Sequence, residues 1–390
     1  MFFIGVVSIN HKLLIGIVAA LVIVALGVFF IQTPTALFGA GLSNKETVIV
    51  GVVLPLTGTS ADNGNNAKNG LLLAQKEINS SNLKYKINLV FEDSEYNSEK
   101  AVSAINKLIS VDAVKFVVGE YGSSQTKAIA PIAESNKVIL ITPGSQATSL
   151  SSAGDYIFRT QTKTDDESAY FAKKIFELIG NKKLGLIFIN TEYGVSYIKD
   201  FSGQYLSLGG KLGLAQNYDS KESDFSTVLL KAKEDGVEYL LIGATRKGAA
   251  QILNKSKELG LKIKFFGASV IEGKEFLDIA GANAEGIIIP SPFNADSKDS
   301  AMVKFQSKFF AEHNSNGDMI SANGYDALML LSKCFESVGA QTDKVRDCLY
   351  STKEYHGASG VISFDANGDV KKPFMLKIAK NGTFVLYEAS

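Results

Sequence analysis

The chain has 390 residues, 46% of them hydrophobic and 21% charged, the composition of a globular protein with sizeable cores and more than one ordinary domain. Forty basic residues balance 40 acidic ones, which argues against the concentrated cationic face that nucleic acid requires. Three histidines and two cysteines, with no CxxC or HExxH spacing, argue against the common metal sites.

Residues 13–31, "LLIGIVAALVIVALGVFFI", carry no charge and follow His11-Lys12. About 20 apolar residues span a bilayer as a helix. The basic residue before them predicts a short cytoplasmic segment, 1–12, with the bulk of the chain outside. The next stretch, "IQTPTALFGAG", offers no good cleavage site for a secretory signal. The expectation is an uncleaved transmembrane anchor, with a cleaved signal as the alternative; residues 32–46 read as a linker.

The chain then alternates. Strand "VIVGVVL" (48–54) precedes a helix over 66–79, strand "INLVFED" (87–93) a helix over 98–109, and strand "KFVVGE" (115–120) a helix near Ser124, followed by strand "VILIT" (138–142). These apolar runs are continuous, as in strands buried on both faces, and repeated β-α-β implies a parallel sheet covered by helices. The pattern restarts at "LGLIFIN" (184–190) and continues through "KLGLAQNY" (211–218), "YLLIGA" (239–244), "KIKFFGAS" (262–269) and "GIIIPSPF" (286–293). The fold class is therefore α/β: two doubly wound, Rossmann-like lobes in series. A helix over 321–339 follows, and Asn367-Gly368 and Asn381-Gly382 predict hairpins near the C-terminus. Cys334 and Cys348 lie on apparent helices flanking "GAQTD". Outside the cell such a pair favours a disulfide, two buried free thiols being the alternative. His313 and His356 are expected on the surface, without a clustered acid or cysteine partner. Sequons stand at Asn79, Asn254 and Asn381.

In open α/β sheets ligands bind beyond the carboxyl ends of strands. In the first lobe those ends carry "PLTGTSADNG", "EYGSSQT" and "TPGSQATS"; in the second, "NTEYG", "GATRKG" and "GASVIEG". Nearly all are glycine, hydroxyl, amide or tyrosine, so two such mouths facing each other make a polar cleft. Ser123 and Ser124 open a helix, where serine is a favoured cap and free N–H groups attract anions. Gly122 lets the backbone approach a ligand, and "TPGSQ" on the next strand is a second loop of the same kind.

The stretches "VIVGVVLPLTGTSADNGNNAKNGLLLAQKEIN", "FVVGEYGSSQTKAIAPIAESNKVILITPGSQATSL", "NTEYGVSYIKDF", "GYDAL" and "YHGASGVISFDANGD" resemble, in order and spacing, the leucine/isoleucine/valine-type periplasmic binding proteins that serve ABC transporters. The resemblance runs over roughly 47–390. It implies two lobes joined by a three-stranded hinge and closing on a small ligand, divided as 47–164 with 294–372 and 165–293 with 373–390. It implies that Ser123, with Ser124 beside it, and the Gly144-Ser145-Gln146 loop hold a carboxylate and an ammonium, that Tyr193 closes over from the second lobe, and that Thr245 and Ser269 face the ligand. Asn63 stands where many members have an aromatic, and a tyrosine near Thr245 and an acid near Ser269 are missing; Glu120 or Glu272 is the possible substitute acid. Tyr121 and Tyr193 offer stacking surface.

The expected function is an extracytoplasmic receptor for a small polar ligand, either delivering it to an ABC permease or acting as a sensor through a partner protein. No GxSxG, P-loop or post-strand GxGxxG points to an enzyme, and no cofactor is expected.

Overall fold

The computed structural model describes Phe2, residues 45–219 and residues 221–388. The expected span at 13–31 and most of the linker lie outside these residues. Among the described residues no helix is long and apolar enough to cross a membrane.

The first sheet is built from β1 (Glu46–Leu54), β2 (Tyr85–Asp93), β3 (Phe116–Gly119), β4 (Ile139–Thr142) and β5 (Ile157–Arg159). Its order is β2-β1-β3-β4-β5, all parallel. Helices α1 (Ala61–Ser80), α2 (Ser98–Ser110) and α3 (Ser123–Ser135) make the crossovers. α1 begins five residues before the expected 66 because Gly64 lets its first turn lie on the backbone of Pro55: a Cβ there would meet the Pro55 carbonyl oxygen at 2.0 Å.

The chain passes to the second sheet through α4 (Thr164–Ile179) and builds β6 (Lys183–Ile189), α5 (Glu192–Ser207), β7 (Lys211–Tyr218), α6 (Ser226–Glu234), β8 (Tyr239–Gly243), α7 (Arg246–Glu258), β9 (Lys264–Gly267), α8 (Lys274–Ala280) and β10 (Ile288–Ser291). It then returns to the first lobe. Helices α9 (Ser300–His313), α10 (Met319–Val338) and α11 (Thr342–Ser351) contribute Met302, Phe305, Leu328 and Leu349 to the core that holds Val50 and Val52 of β1. α10 crosses α1 at backbone contact, since a Cβ on Gly70 would meet the Ser321 carbonyl oxygen at 1.9 Å. Cys334 and Cys348 are joined as a disulfide that ties α10 to α11, Cα to Cα 5.8 Å.

A small hairpin, β11 (Tyr355–Gly357) and β12 (Gly360–Ile362), precedes the third passage. β13 (Met375–Lys380) and β14 (Thr383–Leu386) then complete a second sheet of order β7-β6-β8-β9-β10-β13-β14, antiparallel only at its last two pairings. Asn381 and Gly382 turn β13 into β14 at φ 52° and 73°, the left-handed pair a tight hairpin needs. The other expected hairpin, at Asn367-Gly368, amounts to a single Phe364–Val370 bridge.

Two surface expectations change. His356 does have an acidic partner: its Nδ1 lies 2.7 Å from Asp299 Oδ2, a contact 57 residues apart that no local pattern announces. His313 is half-buried with its ring 4.4 Å from that of Phe309, centroid to centroid. Of the sequons, the side-chain amides of Asn79 and Asn254 donate to the carbonyls of Ile87 and Ile279 at 2.9 and 3.0 Å, while Asn381 is exposed in its turn.

Candidate functional site

The strand order reverses beside β1 in the first sheet and beside β6 in the second, the points where doubly wound sheets open a crevice. The loops leaving those points face each other around a small cavity. From the first lobe come Ser60 after β1, Tyr96 after β2, Tyr121 to Ser123 after β3 and Gly144 after β4. From the second come Ile189 and Tyr193 around the β6 end, Ala244 and Thr245 after β8, and Val270 after β9. A second, smaller cavity shares Tyr121, Gly144 and Val270 with it and is lined also by Asn63, Gln146, Arg246 and Ser269.

α3 opens directly onto the first cavity. Its N-cap is Gly122, not a serine, and no side chain caps it. This corrects the reading of Ser123 and Ser124 as caps: they are the first two helical residues, and their hydroxyls turn elsewhere. Ser123 Oγ accepts from Gln146 N and Ala147 N, each at 3.1 Å, and so fixes the Gly144–Gln146 loop against the helix start. Ser124 Oγ accepts from Glu192 N at 3.0 Å, across the cleft. An α-helix leaves its first N–H groups without intrahelical partners and carries a positive partial charge there. The start of α3 therefore presents uncapped donors to the cavity.

The predicted residues divide by environment. Tyr121, Ser123, Gly144, Tyr193 and Thr245 line the first cavity, and Asn63, Gln146 and Ser269 the second. Ser145 lines neither: its hydroxyl bonds Thr126 Oγ1 at 2.7 Å and the Glu120 and Tyr121 carbonyls at 3.2 Å, knitting the loops after β3 and β4 together. Thr245 caps α7, its Oγ1 accepting from Gly248 N at 3.1 Å. Several lining residues escaped sequence reading. Tyr96 was findable, because it too follows a strand. Arg246 was not, because a cation in the first turn of a helix opposes the dipole and gains sense only from partners far away in the chain.

Arg246 is 3% exposed and spans the lobes. One Nη bonds Asp62 in the first turn of α1; the other reaches Asp318 Oδ2 at 2.8 Å and the Glu272 carbonyl at 2.6 Å. Burial pulls the guanidinium pKa down, but Asp318 and Asp62 outweigh it and hold it above the ordinary value. Further bonds bridge the lobes: Gln146 Nε2 donates to Ser269 Oγ at 3.3 Å, Thr148 Oγ1 to Asp200 Oδ2 at 2.9 Å, and Ser149 Oγ to Glu192 Oε1 at 2.7 Å. The lobes are thus closed upon each other.

Several fully buried polar atoms find no hydrogen-bond partner among the described residues, and a group of them surrounds this cleft: Ser60 Oγ, Asn63 Oδ1, Gln146 Oε1, Tyr193 OH and Arg246 Nε. Each unpaired buried group costs about 1–3 kcal/mol.

Two carboxyls are buried beside the cleft. Glu120 accepts from Ser94 Oγ and, at 2.9 Å, from Gly122 N; burial pushes it up to about 7. Glu167 accepts from Ser269 N and Tyr197 OH, both at 2.9 Å, and from Ser269 Oγ; burial pushes it too up to about 7. With folded pKa values above the ordinary 4.5, the folded chain holds more protons than the unfolded one between those limits. Each group therefore contributes stability below pH 4.5 that is lost as pH rises through 7. Glu167→Gln escapes that loss. Its stability relative to the unsubstituted chain, measured by denaturant unfolding, is expected to rise by about 3 kcal/mol between pH 4 and pH 8; a difference that stays flat or falls with pH contradicts the assignment.

The description of the periplasmic binding proteins matches residues 47–380. The leucine-, isoleucine-, valine-, threonine-, and alanine-binding protein of Pseudomonas aeruginosa is 27% identical over 349 residues, covering 88% of this chain and 90% of that one. The crystal structure of the leucine binding protein LivK from Thermotoga maritima superposes with a TM-score of 0.83 at 26% identity, covering 87% of this chain and 98% of that one. The branched-chain amino acid transporter substrate binding protein LivJ from Streptococcus pneumoniae, in complex with isoleucine, gives 0.81 at 25% identity over 87% and 98% of the two chains.

Proposed function

The chain belongs to the periplasmic binding protein family, and we propose that it is the extracytoplasmic receptor of an ABC transporter, closing its lobes on a small polar ligand (an amino acid, amide or small carboxylate) and delivering it to a membrane permease. The observation that carries this reading is the set of unpartnered buried polar atoms lining the two cavities between the strand ends of two facing sheets. A two-lobed receptor that closes by hinge motion brings such surfaces together around the ligand. The relatives named for amino acids support the ligand size and polarity.

The pivot in this reading is the set of three chain passages, dividing the molecule as 47–164 with 294–372 and 165–293 with 373–390. The uncapped start of α3 and the Gly144-Ser145-Gln146 loop hold the ligand's polar head, and Tyr121, Tyr193 and Thr245 enclose the rest. The apolar segment 13–31 holds the receptor at the membrane, as an anchor or as a signal before cleavage.

Isothermal titration with amino acids, amides and small carboxylates tests the placement of the cleft. Tyr193→Ala and Ser123→Ala are each expected to weaken the bound compound at least tenfold, about 1.4 kcal/mol, while both variants still unfold cooperatively. Unchanged affinity in both contradicts the placement.

A further inference from the structure

We propose that the ligand is a small carboxylate without an α-ammonium group, of the hydroxy-acid kind, and not an amino acid. This rests on the receptor reading above and narrows its ligand class.

The inference follows from charge. The eleven residues lining the first cavity include no Asp, Glu, Lys, Arg or His. Three helix starts border it, at Ser123, Tyr193 and Thr245, and of these α3 alone has no side-chain cap; their positive ends suit an anion. Two hydroxyls more than nine-tenths buried, Ser60 Oγ and Tyr193 OH, lie unpartnered in the same wall, and each supplies an O–H donor to a carboxylate oxygen. An ammonium group enclosed beside them needs a carboxylate partner, because an uncompensated buried charge costs several kcal/mol.

Glu275, near Asp62 and Arg246, lines neither cavity, and five further carboxylates beside the cleft are engaged elsewhere. Glu120 is held by Ser94 and Gly122 N. Glu167 is held by Ser269 and Tyr197. Glu272 is bound by Lys377 and by Ser291 Oγ. Asp62 and Asp318 are paired with Arg246. None of the five is in the wall of either cavity. The free acceptors are instead neutral: Asn63 Oδ1 and Gln146 Oε1, unpartnered in the second cavity. Neutral amide oxygens take a hydroxyl hydrogen without the charge that an ammonium brings.

The test is isothermal titration of the full chain with pairs that differ only in the α-substituent: lactate with alanine, 2-hydroxy-4-methylpentanoate with leucine, and 3-phenyllactate with phenylalanine. In any pair that binds, the hydroxy acid is expected to bind at least tenfold more tightly. An amino acid that binds as tightly as its hydroxy acid, or more tightly, overturns the inference and leaves the receptor reading standing. Binding by no member of any pair also overturns it, and the receptor reading is then decided by amides, polyols and nucleosides in the wider panel described below.

Discussion

Replacing Gly144 by valine is expected to lower ligand affinity at least a hundredfold, about 2.7 kcal/mol, with the chain still folded. Gly144 is shared by both cavities. A Cβ there would meet Tyr121 Cδ2 at 2.3 Å and the Tyr121 carbonyl oxygen at 2.9 Å. Tyr121 lines both cavities as Gly144 does, so a branched side chain at 144 either fills that space or displaces the ring that walls it. Overpacking of this kind costs about 1–3 kcal/mol of stability, which a chain of this size tolerates. Gly144→Ala, needing a smaller ring displacement, is expected to fall between the two. Equal affinity in the valine variant would mean that ligand binds away from the loops after β3 and β4.

The second large effect is on folding. Arg159 ends β5 and Asp369 stands just before the third passage between the lobes. Their Nε–Oδ1 distance is 2.6 Å, and both side chains are 2% exposed. Ser151 Oγ donates to Asp369 Oδ2 at 2.6 Å and accepts from Arg159 at 3.2 Å, while Arg159 also donates to the Ala147 carbonyl at 3.0 Å. Burial lowers the guanidinium pKa despite Asp369, so this charge is held at a cost that its partner offsets only in part. Asp369→Ala leaves it uncompensated and is expected to destabilise the chain by about 3–5 kcal/mol, read by denaturant unfolding. Arg159→Met combined with Asp369→Leu removes both charges and is expected to recover most of that loss. A single variant within 1 kcal/mol of the unsubstituted chain would show that the pair is not what holds these two passages together.

Much of the architecture was legible because parallel strands buried on both faces appear as unbroken apolar runs. β7 occupies the 211–218 expected of it, and the other long strands shift by at most two residues. The short β5, at three residues, carries too little pattern to announce itself. The site was legible at the level of strand ends and no further. Tyr121, Ser123, Gly144, Tyr193 and Thr245 line the cavity, but the hydroxyls of Ser123, Ser124 and Ser145 are spent on Gln146 N and Ala147 N, on Glu192 N and on neighbouring carbonyls respectively. Sequence does not tell a serine whose hydroxyl is left free in a cavity from one whose hydroxyl ties two loops together. Tyr96 enters the cavity after two consecutive residues at positive φ, Glu95 and Tyr96 at 50° and 58°, in a turn without the glycine that would have signalled it. The Arg246–Asp62 contact joins residues 184 positions apart, and only the tertiary fold brings them together.

The most direct test of a receptor that closes on a small ligand is thermal unfolding of the full chain against amino acids, amides, small carboxylates, polyols and nucleosides, with Gly144→Val run beside it. A ligand present at 100 times its dissociation constant stabilises the folded state by about 2.7 kcal/mol, a rise of a few degrees. The predicted result is such a rise with one chemical class in the unsubstituted chain and none in Gly144→Val. No rise with any class, or an equal rise in both proteins, contradicts a ligand held in this cleft.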